Sequence, residues 1–405
     1  MLAHVKNFLR PIEQRRLSAL DWLHWWPRYG RVHHNVDRAA HVQAAADWLV
    51  RAHDAGDDRG VAYGAAIGGD FQPSYPETTG YIIPTFLSLA EHYRIESYRA
   101  RAIEMGDWEI AVQLPSGAVM GGKVNTRPTP ALFNTGQVLL GWASLYRETG
   151  ERRFLDAARR ASAWMIEMQE PDGNWLRGNS AFSNSTATLY NVKAAWGLCE
   201  AGKAGVGQEA IDAAVRNAEY CLTKQAANGW FADCCLDDPT KPLLHTIAYT
   251  MQGLVGIGLL VERPELWKAA ETTARSLMAL MNRKGFIPGR IDADFHGQST
   301  WCCLTGTAQT AIVWSQLFEL TGDEAFRSAR RTATQYLMRR HDLSIPEPAI
   351  RGGVFGSWPV WGDYGRLTVL NWATKFFVDA LLLEMRQDEM TSRDAAHTGH
   401  TTWRK

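Results

Sequence analysis

A glycine returns every 56 residues through the middle of this chain, and that period limits the available folds more than any other feature. The segments QLPSGAV, QEPDGNW, QAANGWF and MNRKGFI align on Gly117, Gly173, Gly229 and Gly285, each 56 residues beyond the last. A second comb in the same register falls at Gly141, Gly197, Gly253 and Gln309. A fixed period of this size marks units that bury their faces only against neighbouring units.

Each unit carries two helical patterns of different character. One, as in IAYTMQGLVGIGLL, is apolar nearly all round and rich in Gly; the other, as in ERRFLDAARRASAWMIEMQ, is amphipathic with a charged face. Inner helices are expected near 80–94, 136–149, 190–202, 246–261, 304–320 and 367–385. Outer helices are expected near 39–55, 97–112, 152–169, 208–224, 264–281 and 323–339. Six such pairs predict an all-α fold, an (α/α)6 toroid over residues 37–388. A further helical pattern at 11–26 reads either as part of an N-terminal cap over 1–36 or as half of a seventh hairpin, with an incomplete ring as the other arrangement. Residues 389–405 read as a polar tail without regular structure.

Short turns such as RETGERR join inner to outer helices, whereas the return connections are long. Long connections without a pattern of their own are uncommon unless they carry function. These are dense in Tyr, Trp, Arg, His and carboxylates, and all are expected on one end of the ring.

The charge balance narrows the partners. Lys plus Arg and Asp plus Glu are 43 each, so no overall field gathers a nucleic acid. No apolar run reaches the roughly 18 residues of a membrane span, and the first residues lack a signal-peptide pattern, so a soluble cytoplasmic protein is expected. The six cysteines never fall in the C-x-x-C spacing of zinc and redox sites, and are expected as buried or loop thiols. No phosphate loop, dinucleotide fingerprint, G-x-S-x-G or H-E-x-x-H string occurs, which leaves no sign of a cofactor or metal. Oligomeric state is open.

The long connections supply the candidate chemistry. Glu77, with Tyr75 and Tyr81, sits where one connection enters an inner helix; it serves either as a first-turn helix stabiliser or as a catalytic carboxylate. His245 opens another inner helix with Tyr249 one turn later. A helix N-terminus disfavours imidazolium, so His245 is expected to stay neutral and to accept a proton. Arg290 offers a planar fork for a substrate carboxylate, unless Asp292 or Asp294 occupies it. Trp175, Trp358 and Trp361 are candidate sugar platforms, and Arg177, Asn179, Tyr190, Asn191, Asp363, Tyr364 and Arg366 are candidate substrate contacts.

The strings SYPETTGYIIPTFL, LLHTIAYTMQGL, CLTGTAQTAIVW and WPVWGDYGRLTVLNWATKFFVDAL resemble a bacterial family of helical-toroid proteins of polysaccharide metabolism, similar to alginate and glucuronan lyases. The match spans about residues 60–385. The resemblance implies β-elimination or C5 epimerisation at a uronic acid, with His245 removing the C5 proton and Arg290 neutralising the carboxylate. It implies a tyrosine acid just before CLTG, but Trp301 and Cys302 stand there; Tyr249, Tyr190 and Tyr75 are the alternatives. Two other readings stay open. One is an inverting glycoside hydrolase pairing Glu77 with Asp292, Asp294 or Asp363; the other is a non-catalytic glycan-binding or assembly protein.

Overall fold

A computed structural model describes residues 29–180, 183–184 and 186–399. The helical pattern at 11–26 lies outside them. Among the described residues twelve long helices alternate between two layers. The inner layer is α2 (Pro76–Tyr93), α4 (Leu132–Thr149), α6 (Val192–Ala201), α8 (Leu244–Leu260), α10 (Leu304–Thr321) and α12 (Asn371–Gly399). The outer layer is α1 (Arg38–Asp54), α3 (Glu96–Val112), α5 (Arg152–Met168), α7 (Gln208–Leu222), α9 (Pro264–Leu280) and α11 (Glu324–Met338). Each inner helix packs on the next, α12 packs on both α2 and α1, and the ring closes. An antiparallel pairing of β1 (Gly64–Ala66) with β4 (Thr368–Leu370) ties the two ends of the toroid together. A second short pair joins β2 (Cys302–Cys303) to β3 (Ser357–Trp358). Strands of two or three residues leave no periodicity to read, which is why an all-helical reading missed them.

The first glycine comb is a backbone requirement. Gly117, Gly173, Gly229 and Gly285 adopt φ of 91°, 89°, 89° and 87° in the turn after each outer helix, where an L side chain is strained. The turn presses on the following outer helix: a Cβ at Gly117 would stand 2.4 Å from the Arg160 carbonyl oxygen, and one at Gly173 2.5 Å from that of Arg216. Gln113, Gln169 and Gln225 donate across the same seam to the carbonyls of Ala157, Ala213 and Ala269. Gly352, with φ of 81° and packed on Ala44 of α1, continues the series where the ring closes.

The second comb sets the inner ring's close approach. A Cβ at Gly141 would lie 2.4 Å from the carbonyl oxygen of Gly80, and one at Gly197 only 1.9 Å from that of Gly136. Backbone cannot retreat as a side-chain tip can. Gly197→Ala is therefore expected to lose about 3 kcal/mol to overpacking, more than the roughly 1 kcal/mol gained in helix propensity. Urea unfolding measures it, and an unchanged midpoint would refute close packing at this crossing.

Inner helices begin two to four residues earlier than expected at Pro76, Leu132, Leu244 and, for the last, four later at Asn371. The last one also runs on to Gly399, past the boundary expected at 388, because the intervening EMTSRDAAHT holds no Gly or Pro to stop it. Threonines in the first turns anchor the long connections: Thr79, Thr135 and Thr374 accept the backbone N–H of Val61, Val119 and Val354. All six cysteines are buried free thiols. No described helix is long and apolar enough to cross a membrane.

Candidate active site

The inner helices present their first turns to one end of the ring, where a cavity of about 420 Å³ opens between them. A continuous chain of aromatic contacts forms its wall. Tyr75 meets Tyr63 at 5.6 Å between ring centroids, and Tyr63 meets Trp372 edge-on at 4.8 Å. The Trp372 indole N–H donates to the Tyr364 hydroxyl at 2.7 Å. Tyr364 lies 5.1 Å from the His245 ring, His245 4.3 Å from Tyr249, Tyr249 4.9 Å from Phe133, and Phe133 5.3 Å from Tyr190. Flat apolar faces with polar edges suit a sugar, which offers C–H faces and hydroxyl rims.

Beside the phenols, a carboxyl, an imidazole and an ammonium stand on this wall. Glu77, in the first turn of α2, accepts a short hydrogen bond from the Tyr75 hydroxyl. Desolvation pushes its carboxyl up to about 7, against the opposing pull of that hydrogen bond. His245, in the first turn of α8, is 5% exposed. Burial lowers its pKa to about 4, opposed by its bond to Gln309. Its Nδ1 donates to Gln309 Oε1 at 2.7 Å, which leaves the lone pair on Nε2. Lys123 is the cation among the lining residues, with its ammonium 2.9 Å from Gln72 Oε1 and 5.1 Å from the centre of the Tyr63 ring.

Gln309 explains why the second comb breaks its own rule. Where Gly141, Gly197 and Gly253 keep inner helices close, the fourth position carries a buried amide that fixes the His245 tautomer. The fourth member of the comb is thus a positioning group for the imidazole.

Of the residues expected to act, Glu77, His245, Tyr249, Tyr75, Tyr190 and Tyr364 line the cavity. Tyr81 lies beneath it, buried against Phe376 at 5.5 Å. Arg290 does reach the same rim, where its own backbone pairs with Leu243, but its fork grips both oxygens of Asp237 at 3.0 and 2.6 Å and the Lys241 carbonyl. The expected role in neutralising substrate is corrected to a strut between two rim loops. Its structural partner is Asp237, not Asp292 or Asp294. Trp175 is no platform: it is fully buried and donates to the Met165 carbonyl at 2.9 Å. Arg177 pairs with Glu170 on the surface. Asn191 donates to Asn179, bracing a rim loop against the entry to α6. Arg366 pairs with Asp363, and Trp358 and Trp361 pack half-buried against the core; none of these four lines the cavity.

None of the carboxylates expected to partner Glu77, Asp292, Asp294 and Asp363, lines the cavity. Asp292 accepts the backbone N–H groups of Asp294 and His296 and the Gln298 amide, closing its own turn. Glu77 is the carboxyl group of the lining set. Missed at the rim were Tyr63, Lys123, Phe133, Asn134 and Trp372. Of these Trp372 carried a signal: it stands in the NWAT string that opens the last inner helix, at the same second position that Glu77 and His245 hold in theirs.

The ring and its aromatic mouth define an α/α-toroid protein. No protein-family model and no curated protein matches the sequence. Solved structures match the fold. One is an unsaturated glucuronyl hydrolase specific for heparin, with a TM-score of 0.70 at 15% identity over 88% of this chain and 99% of that one. Another is the unsaturated glucuronyl hydrolase of a Bacillus species, with a TM-score of 0.66 at 14% identity over 85% and 96%. A third is the cellobiose 2-epimerase of Bacillus thermoamylovorans, with a TM-score of 0.67 at 10% identity over 85% and 97%. At such identities the likeness establishes the fold.

Proposed function

We propose that this chain is a carbohydrate-active enzyme, a hydrolase that cleaves a terminal residue from an acidic oligosaccharide. The observation that carries the reading is the pair of opposed displacements on one cavity: Glu77 raised to about 7 and His245 lowered to about 4. Between those values the carboxyl holds its proton and the imidazole lacks one, which is the division of labour of a general acid and a general base. Glu77 gives its proton to the glycosidic oxygen as the bond to the anomeric carbon breaks. His245 Nε2 takes a proton from the water that attacks that carbon, so one water is consumed and two hydroxyl-bearing products leave. Lys123 offers the counter-charge for a uronate carboxylate, the part expected of Arg290. Neighbours of this fold named as unsaturated glucuronyl hydrolases support a uronide substrate.

A second reading, epimerisation, is favoured by the same pair, since one carboxyl and one imidazole on opposite sides of a sugar can remove and return a proton; the cellobiose 2-epimerase neighbour supports it. Elimination has weaker support, because no guanidinium stands among the described residues that line the cavity. A panel of saturated and unsaturated uronic-acid-terminated oligosaccharides and neutral disaccharides separates these. Released reducing ends, with loss of ultraviolet absorbance from unsaturated substrates, establish the hydrolase. Deuterium uptake from solvent without cleavage establishes the epimerase. New absorbance from saturated substrates establishes the lyase, and binding without turnover contradicts catalysis altogether.

A further inference from the structure

A second cavity, of about 310 Å³, lies on the far side of Tyr81 from the first and is lined by later turns of the inner helices. Its wall carries Lys193, Lys375 and Arg386 against Glu200 and Asp379, three cations to two carboxylates. Asp379 is engaged, with Lys375 at 2.6 Å and the Thr85 hydroxyl at 2.8 Å. Glu200 accepts from Arg147 and from the Trp196 indole N–H. Arg386 pairs with Glu91 at 2.8 Å. Lys193 is left over. It is only 3% exposed, and its ammonium lies 3.9 Å from the centre of the Trp196 ring without a hydrogen bond or an ion pair among the described residues.

A buried ammonium without a counter-charge is costly, and the cost is relieved by losing the proton or by gaining an anion. Burial first, and then repulsion from Lys375, hold the Lys193 pKa well below the usual lysine range, against the weaker attraction of Asp379 and Glu200, which are engaged with other partners. The ring face beneath the nitrogen favours the charged form, and open cavity lies beside it. We propose that this cavity is a binding site for a small phosphate-type or carboxylate-type anion, with Lys193 as its principal ligand and Lys375 as the second cation. The site is separate from the aromatic mouth and does not depend on the reaction performed there.

Thermal unfolding in inorganic phosphate and in acetate, each at ionic strength held constant with chloride, tests it on the full-length protein, on Lys193→Met and on Glu77→Gln. A ligand that binds only the folded state raises the midpoint in a concentration-dependent way. The expected result is a graded rise with the anion for the wild type and for Glu77→Gln, and none for Lys193→Met. A rise with phosphate alone assigns the phosphate class, and a rise with acetate assigns the carboxylate class. No anion-dependent rise, or an equal rise in Lys193→Met, overturns the site. Should Lys193→Met fail to fold, acetic anhydride labelling of the wild type read by mass spectrometry decides. The anion is expected to protect Lys193 severalfold relative to the exposed Lys268, and unchanged relative labelling overturns the site.

Discussion

Glu77→Gln is expected to lower kcat by about a thousandfold while leaving KM and the unfolding midpoint nearly unchanged, within the range that a positioned general acid contributes. The amide keeps the size of the side chain and can still meet the Tyr75 hydroxyl, so the fold has no reason to respond. What it lacks is a proton to give. The wild-type carboxyl titrates at about 7, and raising the pH through that value converts the acid into a carboxylate, so activity falls on the alkaline side. A variant that retains most of its turnover would remove Glu77 from the chemistry.

The second large effect belongs to His245. Its pKa of about 4 means that acidification through that value protonates the base and closes the acid side of the profile. Wild-type kcat/KM is therefore expected to hold a plateau from about 4 to about 7, with the imidazole setting the lower limb and Glu77 the upper. His245→Asn is expected to lose about a hundredfold or more in kcat. Its residual activity should keep the upper limb and lose the lower one. Steady-state rates on the best substrate of the panel measure both. Retention of the lower limb in His245→Asn would show that another group is the base, whatever the loss in rate.

The architecture was legible because its causes are periodic. Two glycine combs, each with a step of 56 residues, mark where backbone must meet backbone, and the φ values and close approaches at Gly117, Gly173 and Gly197 are those causes in three dimensions. The long connections pointed to the correct end of the ring because a closed toroid leaves them nowhere else to go. Residues on inner-helix first turns, such as Glu77 and His245, were therefore placed well: the helix fixes where they look. Residues within the connections were not. Arg290, Arg177 and Trp175 have the composition of a sugar site, but their partners Asp237, Glu170 and the Met165 carbonyl depend on loop paths that spacing does not encode. Lys123 and Tyr63 were missed for the same reason. The unread meaning of Gln309 is different in kind. Its position in the comb was evident, and its task depends on a histidine one inner helix away.

Both predictions rest on a sugar entering the aromatic mouth with its scissile oxygen between Glu77 and His245. The crystal structure of Glu77→Gln soaked with the oligosaccharide that the wild type turns over tests this most directly. The expected result is a terminal ring against Trp372 and Tyr364, with the amide of the substituted residue and His245 Nε2 both within hydrogen-bond reach of the bond to be cleaved and the sugar carboxylate beside Lys123. A saccharide bound at another face of the toroid, with this cavity empty, would contradict the account.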